Sequence, residues 1–292
     1  MIQYRAKPDQ SPTPVFRPRV PASVLSLSVL LVTAPVSGIV PRDALAAPPS
    51  EPFKIAAIHI ETNASACDMG IQILFDTEGI TSGVVESPDG RRIYQLSVKG
   101  GMKETGGQSE GFLEGIEPQI TELVDEFGCE PGDEGVSSLA DLLDAFPEGD
   151  YTFKGGKPGA KFESVAALNH KIPAGPKIVA PAPGRGGINA NANLTIDWNA
   201  VTGPIIPELG PINPADIVGY HVIVVDTATE PAPELDVDVP SDVTKLLVPA
   251  QYLLPNKVYQ FEVLATEAGG NQTISEGFFC TAPIATVDCE LP

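Results

Sequence analysis

From Phe53 onward, apolar side chains recur at every second position in short runs. Ile58 and Ile60 alternate with His59 and Glu61, and Ile71, Ile73 and Phe75 with Gln72 and Leu74. Tyr94, Leu96 and Val98 alternate with Gln95 and Ser97. That period is the mark of half-buried strands, because successive side chains of a strand point to opposite faces. Ser87-Pro88-Asp89-Gly90 interrupts the runs as a turn, with glycine supplying the positive φ that hairpins require. Proline and glycine number 30 and 28 of 292 residues, a high share that stays below the level of low-complexity disorder. The expected fold is mainly β, as two tandem antiparallel β-sandwich-like modules.

The period changes after Pro118. Ile120, Leu123, Val124 and Phe127 recur at helical spacing and stop at Gly128. Leu139, Leu142, Leu143 and Phe146 do the same, opened by Ser138 with Asp141 three residues on and closed by Pro147. Two short helices therefore interrupt the first module. Strand pattern returns at Tyr151 to Phe153, turns through Gly155 to Gly159 and resumes from Phe162 to Leu168. Residues 53–172 form this N-terminal β domain, and 173–176, with Pro173 and Pro176, form a stiff linker. Residues 177–282 match the size of one β-sandwich and 283–292 form a tail.

The first 46 residues read as an address. Arg5, Lys7, Arg17 and Arg19 precede a broken apolar run from Val24 to Val40, followed by Ala44-Leu45-Ala46. Basic region, apolar region and small-x-small site in that order describe a secretory signal peptide. The run is too short and too broken by Pro35 and Gly38 for a membrane anchor. The chain carries 38 acids against 18 bases, and cleavage after residue 46 would leave 36 against 13. Such a surface excludes a general nucleic-acid binder and disfavours anionic membranes. No later segment is apolar enough to span a membrane, so a periplasmic or extracellular product is expected. Four cysteines remain past the leader: Cys67, Cys129, Cys280 and Cys289. An even count in an exported chain points to disulfides, and four allow three connectivities. Cys67–Cys129 with Cys280–Cys289 keeps each pair within one proposed module or its tail.

Residues 177–282 resemble a fibronectin type III domain. Leu194-Thr195-Ile196-Asp197-Trp198 is similar to that family's second strand, with the only tryptophan of the chain pointing inward. Ile217 to Val224 is similar to the third strand, with Tyr220, Val222 and Val224 inward. Leu254-Pro255 followed by Tyr259, Phe261, Val263 and Ala265 is the most telling stretch. The resemblance implies a tyrosine corner, in which Tyr259 bonds nearby backbone. The chain departs from the family in the proline-rich stretch from Thr202 to Pro214 and in its added Cys280 and Cys289. The whole chain also looks like exported bacterial proteins in which a β domain precedes such a module, a likeness that brings no activity with it.

Candidate chemistry is sparse. Gly107-Gln108-Ser109-Glu110-Gly111 matches G-x-S-x-G, but the nucleophile elbow needs a strand-to-helix turn in a parallel sheet, so a flexible hairpin loop is expected there. His59 and His221 sit opposite the apolar faces of their strands, and His170 precedes the linker. No H-E-x-x-H or C-x-x-C occurs, which gives zinc little support. Glu130, Asp133 and Glu134 are weak calcium candidates in a glycine-containing loop. No cofactor is implied. The expected function is an exported, non-catalytic binding, adhesion or scaffold protein whose partner is a protein or a polysaccharide. The 202–214 loop is its best candidate surface. The rival is a secreted hydrolase using Ser109 or paired carboxylates.

Overall fold

The computed structural model describes residues 50–290, except 131, 133, 134 and 229–233. The expected leader over 1–46 lies outside the described residues, as do Asp133 and Glu134. The first stretch contains β1 (Ile55–Asn63), β2 (Asp68–Ile80), β3 (Ser82–Glu86), β4 (Arg92–Ser97), α1 (Gly100–Glu104), β5 (Gln108–Glu114), β6 (Gln119–Ile120), α2 (Thr121–Phe127), β7 (Val136–Ser137), α3 (Leu139–Ala145), β8 (Gly149–Lys157) and β9 (Ala160–Leu168). The second contains β10 (Ile178–Ala180), β11 (Arg185–Ile188), β12 (Leu194–Trp198), β13 (Ile217–Asp226), β14 (Glu234–Pro240), β15 (Lys245–Val248), β16 (Val258–Glu267) and β17 (Gln272–Thr281).

The fold is mainly β and sandwich-like. In the first sandwich β1, β2 and β5 face the four-stranded sheet β4-β3-β8-β9. The alternation read from the sequence decides the faces: Ile58, Ile60, Ile71, Ile73 and Phe75 are buried against Val85, Tyr151, Phe153 and Phe162. Phe53 stands edge-on to Phe75, Phe153 and Phe162, with ring centroids 6.3, 6.1 and 6.3 Å away. α2 and α3 pack against this core through Leu123, Leu139 and Leu142, whereas α1 buries no side chain. Gly128 ends α2 in the left-handed region, and the Ser138 hydroxyl accepts the Asp141 N–H at 3.1 Å to open α3. In the second sandwich the sheet β14-β13-β16-β17 faces β10-β12-β15 over Trp198, Tyr220, Val222, Val224, Tyr259, Phe261 and Phe279.

Three features join the sandwiches. β1 runs parallel to β17, with Glu61 opposite Gln272 and Asn63 opposite Ile274, so one ten-stranded sheet crosses both halves. This parallel pair adds to the antiparallel pattern expected from sequence. It joins segments far apart in the chain, where no local turn could reveal it. The linker is also tied down: Ala174 N–H donates to Gly203 O at 2.9 Å, and Ile205 N–H to Ile172 O at 3.1 Å. Finally, the 202–214 loop braces both halves from within while Thr202, Pro207, Glu208, Pro211, Asn213 and Pro214 stay exposed. Ile205 and Ile206 are buried in the first core and Ile212 in the second.

Candidate functional site

The sequence-predicted residues scatter. Ser109 lies on β5, a strand and not a hairpin loop, with an exposed side chain. Both flanking glycines of its motif have steric roles. A Cβ on Gly107 would lie 2.2 Å from the Ile80 carbonyl oxygen, and one on Gly111 would lie 2.4 Å from the Phe75 ring. The cavity beside Ser109, of about 560 Å³, is lined by Lys54, Asp76, Glu78, Thr105 and Lys157 among others and by no histidine. Lys157 is held by the Glu78 carbonyl, and Lys54 by the Glu78 carboxylate at 2.7 Å, so its ammonium is favoured over a free amine. No serine–base pair forms there.

Disulfides link Cys67 to Cys129 and Cys280 to Cys289. The first pins the segment after α2 to the β1–β2 turn, and the second closes the tail onto β17. Trp198 packs edge-on to Tyr220 with centroids 5.4 Å apart, and the Tyr220 hydroxyl accepts the Val201 N–H at 2.8 Å. The Tyr259 hydroxyl accepts the Leu254 N–H at 2.8 Å and donates to the Tyr252 carbonyl at 3.4 Å. His170 bonds the Phe146 carbonyl at 2.8 Å. Glu130 lies after α2, and its carbonyl accepts from Gln119 at 2.8 Å.

The residues that do converge, His59 apart, were not singled out in sequence. They occupy the outer face of the ten-stranded sheet, opposite the two cores. Registers place Glu61 of β1 beside Gln272 of β17, His59 beside Gln72 of β2, and Gln72 beside Glu114 of β5. The Gln72 amide donates to Glu61 at 2.6 Å and to Glu114 at 3.0 Å, and Gln272 donates to the other Glu61 oxygen. His59 bonds Gln72 at 2.9 Å. Ligand oxygens of Glu61, Glu114 and Glu117 all lie within 4.8 Å of one another, a donor set of hard oxygens that suits a calcium-like cation. Burial raises the Glu61 carboxyl above its ordinary range, and the neighbouring Glu114 and Asp68 charges add to this against the Gln272 and Gln72 bonds.

The acidic face continues across β16 and β17. Glu262 stands opposite Glu276, and His221 on β13 bonds Asp236 of β14 at 2.5 Å. Burial first, then repulsion from Glu276 and Glu61, pushes Glu262 up to about 7. Burial also lowers His59. The face thus offers carboxylates and amides on rigid strands, suited to holding cations or basic groups. Its signal in the sequence was the polar half of each alternation, Glu61, Gln72, Glu262 and Gln272, which only the strand order assembles.

No family model matches the chain, and no curated protein matches it. Solved structures similar to it are fibronectin type III domain structures. One is the crystal structure of the FN1–FN3 domains of chicken CNTN1, 10% identical, covering 80% of this chain and 66% of that one with a TM-score of 0.27. A two-domain fibronectin type III segment of chicken tenascin is 11% identical over 78% of this chain and 99% of that one, also at 0.27. The fn3 domain of the human collagen alpha-1(XX) chain is 18% identical over 38% and 83%, at 0.25.

Proposed function

We propose that this chain is an exported, non-catalytic binding or scaffold protein that presents a rigid acidic sheet to a protein or polysaccharide partner. One observation carries the reading: the ten-stranded sheet spans both sandwiches, and its outer face gathers carboxylates and amides from both, Glu61, Gln72 and Gln272 around the β1–β17 joint and Glu262 opposite Glu276 beyond it. A face held by backbone ladders over two cores is pre-organised, so little ordering opposes association. The two disulfides support a compartment outside the reducing cytosol. Among the described residues no helix is long and apolar enough to cross a membrane. We divide the product into a leader over 1–46, a β domain over 53–172 and a second domain over 177–282.

Expression of the full chain in a bacterial host, followed by fractionation and mass spectrometry, tests export. The expected product is shortened after residue 46 and appears outside the cytoplasm with all four cysteines oxidised. A full-length, reduced, cytoplasmic product overturns export. Binding is tested by passing envelope polysaccharide and solubilised envelope proteins over the immobilised protein. Saturable retention of one class is expected; turnover of ester or glycoside substrates abolished by Ser109→Ala, with no retention, overturns the reading.

A further inference from the structure

β5 forms a lateral edge of the first sandwich. It pairs with β2 on one side, and among the described residues no strand pairs with its other side. Gly115 N–H donates to Ile71 O at 3.2 Å, and Leu113 and Gly111 stand opposite Ile73 and Phe75 in the same register. In an antiparallel ladder the hydrogen-bonded positions alternate, so Gly111 and Leu113 bond β2. The backbone N–H and C=O groups of Glu110, Phe112 and Glu114 therefore point to the open side, where the Gln108 side-chain amide donates to the Glu110 carbonyl at 2.8 Å, a local bond that an added strand would displace. The side chains of the same three residues are exposed, Phe112 by 58%.

The outer face beside them is patterned. Phe112 stands next to Leu74, and Leu74 next to Ala57, as an apolar strip across three strands. An acidic row flanks it on each side. Glu110 lies beside Asp76 in one row, and Glu114 lies beside Gln72 in the other, close to Glu61 and Glu117. Open edges are commonly blunted by proline or by charged side chains, lysine above all. The opposite edge, β14, ends in Pro240, whereas β5 has no proline or lysine and its charges, Glu110 and Glu114, disfavour an acidic strand but not a basic one.

We propose that the open side of β5 accepts an extended peptide as an added strand, with basic, apolar and basic residues at alternate positions. Backbone pairing to Glu110, Phe112 and Glu114 holds the peptide. Its residues opposite these three share their face, so a lysine or arginine meets each carboxylate and an apolar side chain covers Phe112. A second copy of this chain fits badly, because two β5 strands centred on Phe112 set Glu110 of each against Glu114 of the other. The inference rests on the binding-protein reading and names the chemistry of its partner.

Fluorescence anisotropy with the purified protein tests it, using a labelled peptide TTKTVTKTT and its counterpart TTETVTETT at about 0.15 M salt. The lysine peptide is expected to bind about tenfold or more tightly than the glutamate peptide, as two reversed cross-strand charge pairs dictate. Its binding slows amide exchange at Glu110, Phe112 and Glu114. Phe112→Pro removes an edge-facing donor while sparing the β2 ladder, and is expected to weaken binding about tenfold. Glu110→Lys narrows the preference between the peptides, and with the exchange data it decides the question if the proline variant fails to fold. Equal affinities, or lysine-peptide binding that leaves the three amides unprotected, overturn the proposal. So does self-association of the free protein that Phe112→Pro abolishes. An envelope partner that still co-purifies with Phe112→Pro overturns the edge while leaving the binding-protein reading intact.

Discussion

Gly111 lacks a side chain because the Phe75 ring occupies the space a Cβ would need. Gly111→Ala is expected to cost about 1–3 kcal/mol by overpacking, read as a lower urea midpoint. Ser109→Ala, at an exposed position between the two glycines, is expected to stay within about 0.5 kcal/mol of the parent. Equal losses for both variants would contradict the steric account of this motif. Glu262 gives a second residue-scale prediction. Its carboxyl moves from an ordinary 4.5 to about 7 on folding, because burial and Glu276 disfavour its charge. Between those values the native state holds the proton that the unfolded chain has released, so stability falls as pH rises from about 4.5 through 7. Glu262→Gln is expected to flatten this slope and leave the variant about 2 kcal/mol more stable than the parent at pH 8, with little difference at pH 4. Urea titrations at three pH values check this; parallel curves for the two proteins would refute it.

Among the elements, those whose pattern is local were legible in the sequence and those whose pattern is shared were not. α3 carries its own start signal in Ser138 and Asp141 and its own stop in Pro147. β13 and most of β16 bury one side of a plain alternation, while β1 and β2 carry the same apolar alternation but also bury Glu61 and Gln72 on the other side. β5 half-buries only Leu113 and the bare Gly111 on its inner side, so its alternation left no apolar signature. The expected loop there becomes a strand because β2 is long enough to pair it. The disulfides operate at this scale too. Cys67–Cys129 closes a separation of 62 residues around β2 to β5 and α2, and Cys280–Cys289 closes 9. Chain-entropy reckoning gives about 4 kcal/mol for the first and about 2.5 for the second. Paired Cys→Ser variants should therefore lose stability in that order by thermal melts, and a reversed order would show that strain or residual structure dominates.

At the scale of the whole molecule, Asn271 is the joint. Its buried side chain accepts the Ile60 N–H at 2.8 Å and donates to the carbonyls of Asn169 and Lys171 at 2.9 and 3.1 Å. It thus ties β1, the end of the first sandwich and the β16–β17 turn together. Asn271→Ala leaves these buried groups without it and is expected to cost about 2–4 kcal/mol. Calorimetry should show one transition for the parent and a lower, broader or split one for the variant; an unchanged melting curve would remove this joint. With 38 acids against 18 bases, self-repulsion acts on the entire body. Raising salt from about 0.02 to 0.2 M is expected to raise the melting temperature by screening it.

The amino-acid sequence by itself determined the strand character, the helix ends, the inward aromatic residues of the second sandwich and the acidity of the surface. Those depend on periods of two and on turn chemistry that a few neighbouring residues carry. Tertiary structure alone decided that β1 lies parallel to β17, that Ile205, Ile206 and Ile212 brace both cores, and that Glu61, Gln72, Glu114 and Gln272 share one face. The physical reason is that these meetings are set by which sheet edge each strand finds. That choice is made by long-range burial and backbone pairing rather than by local preference.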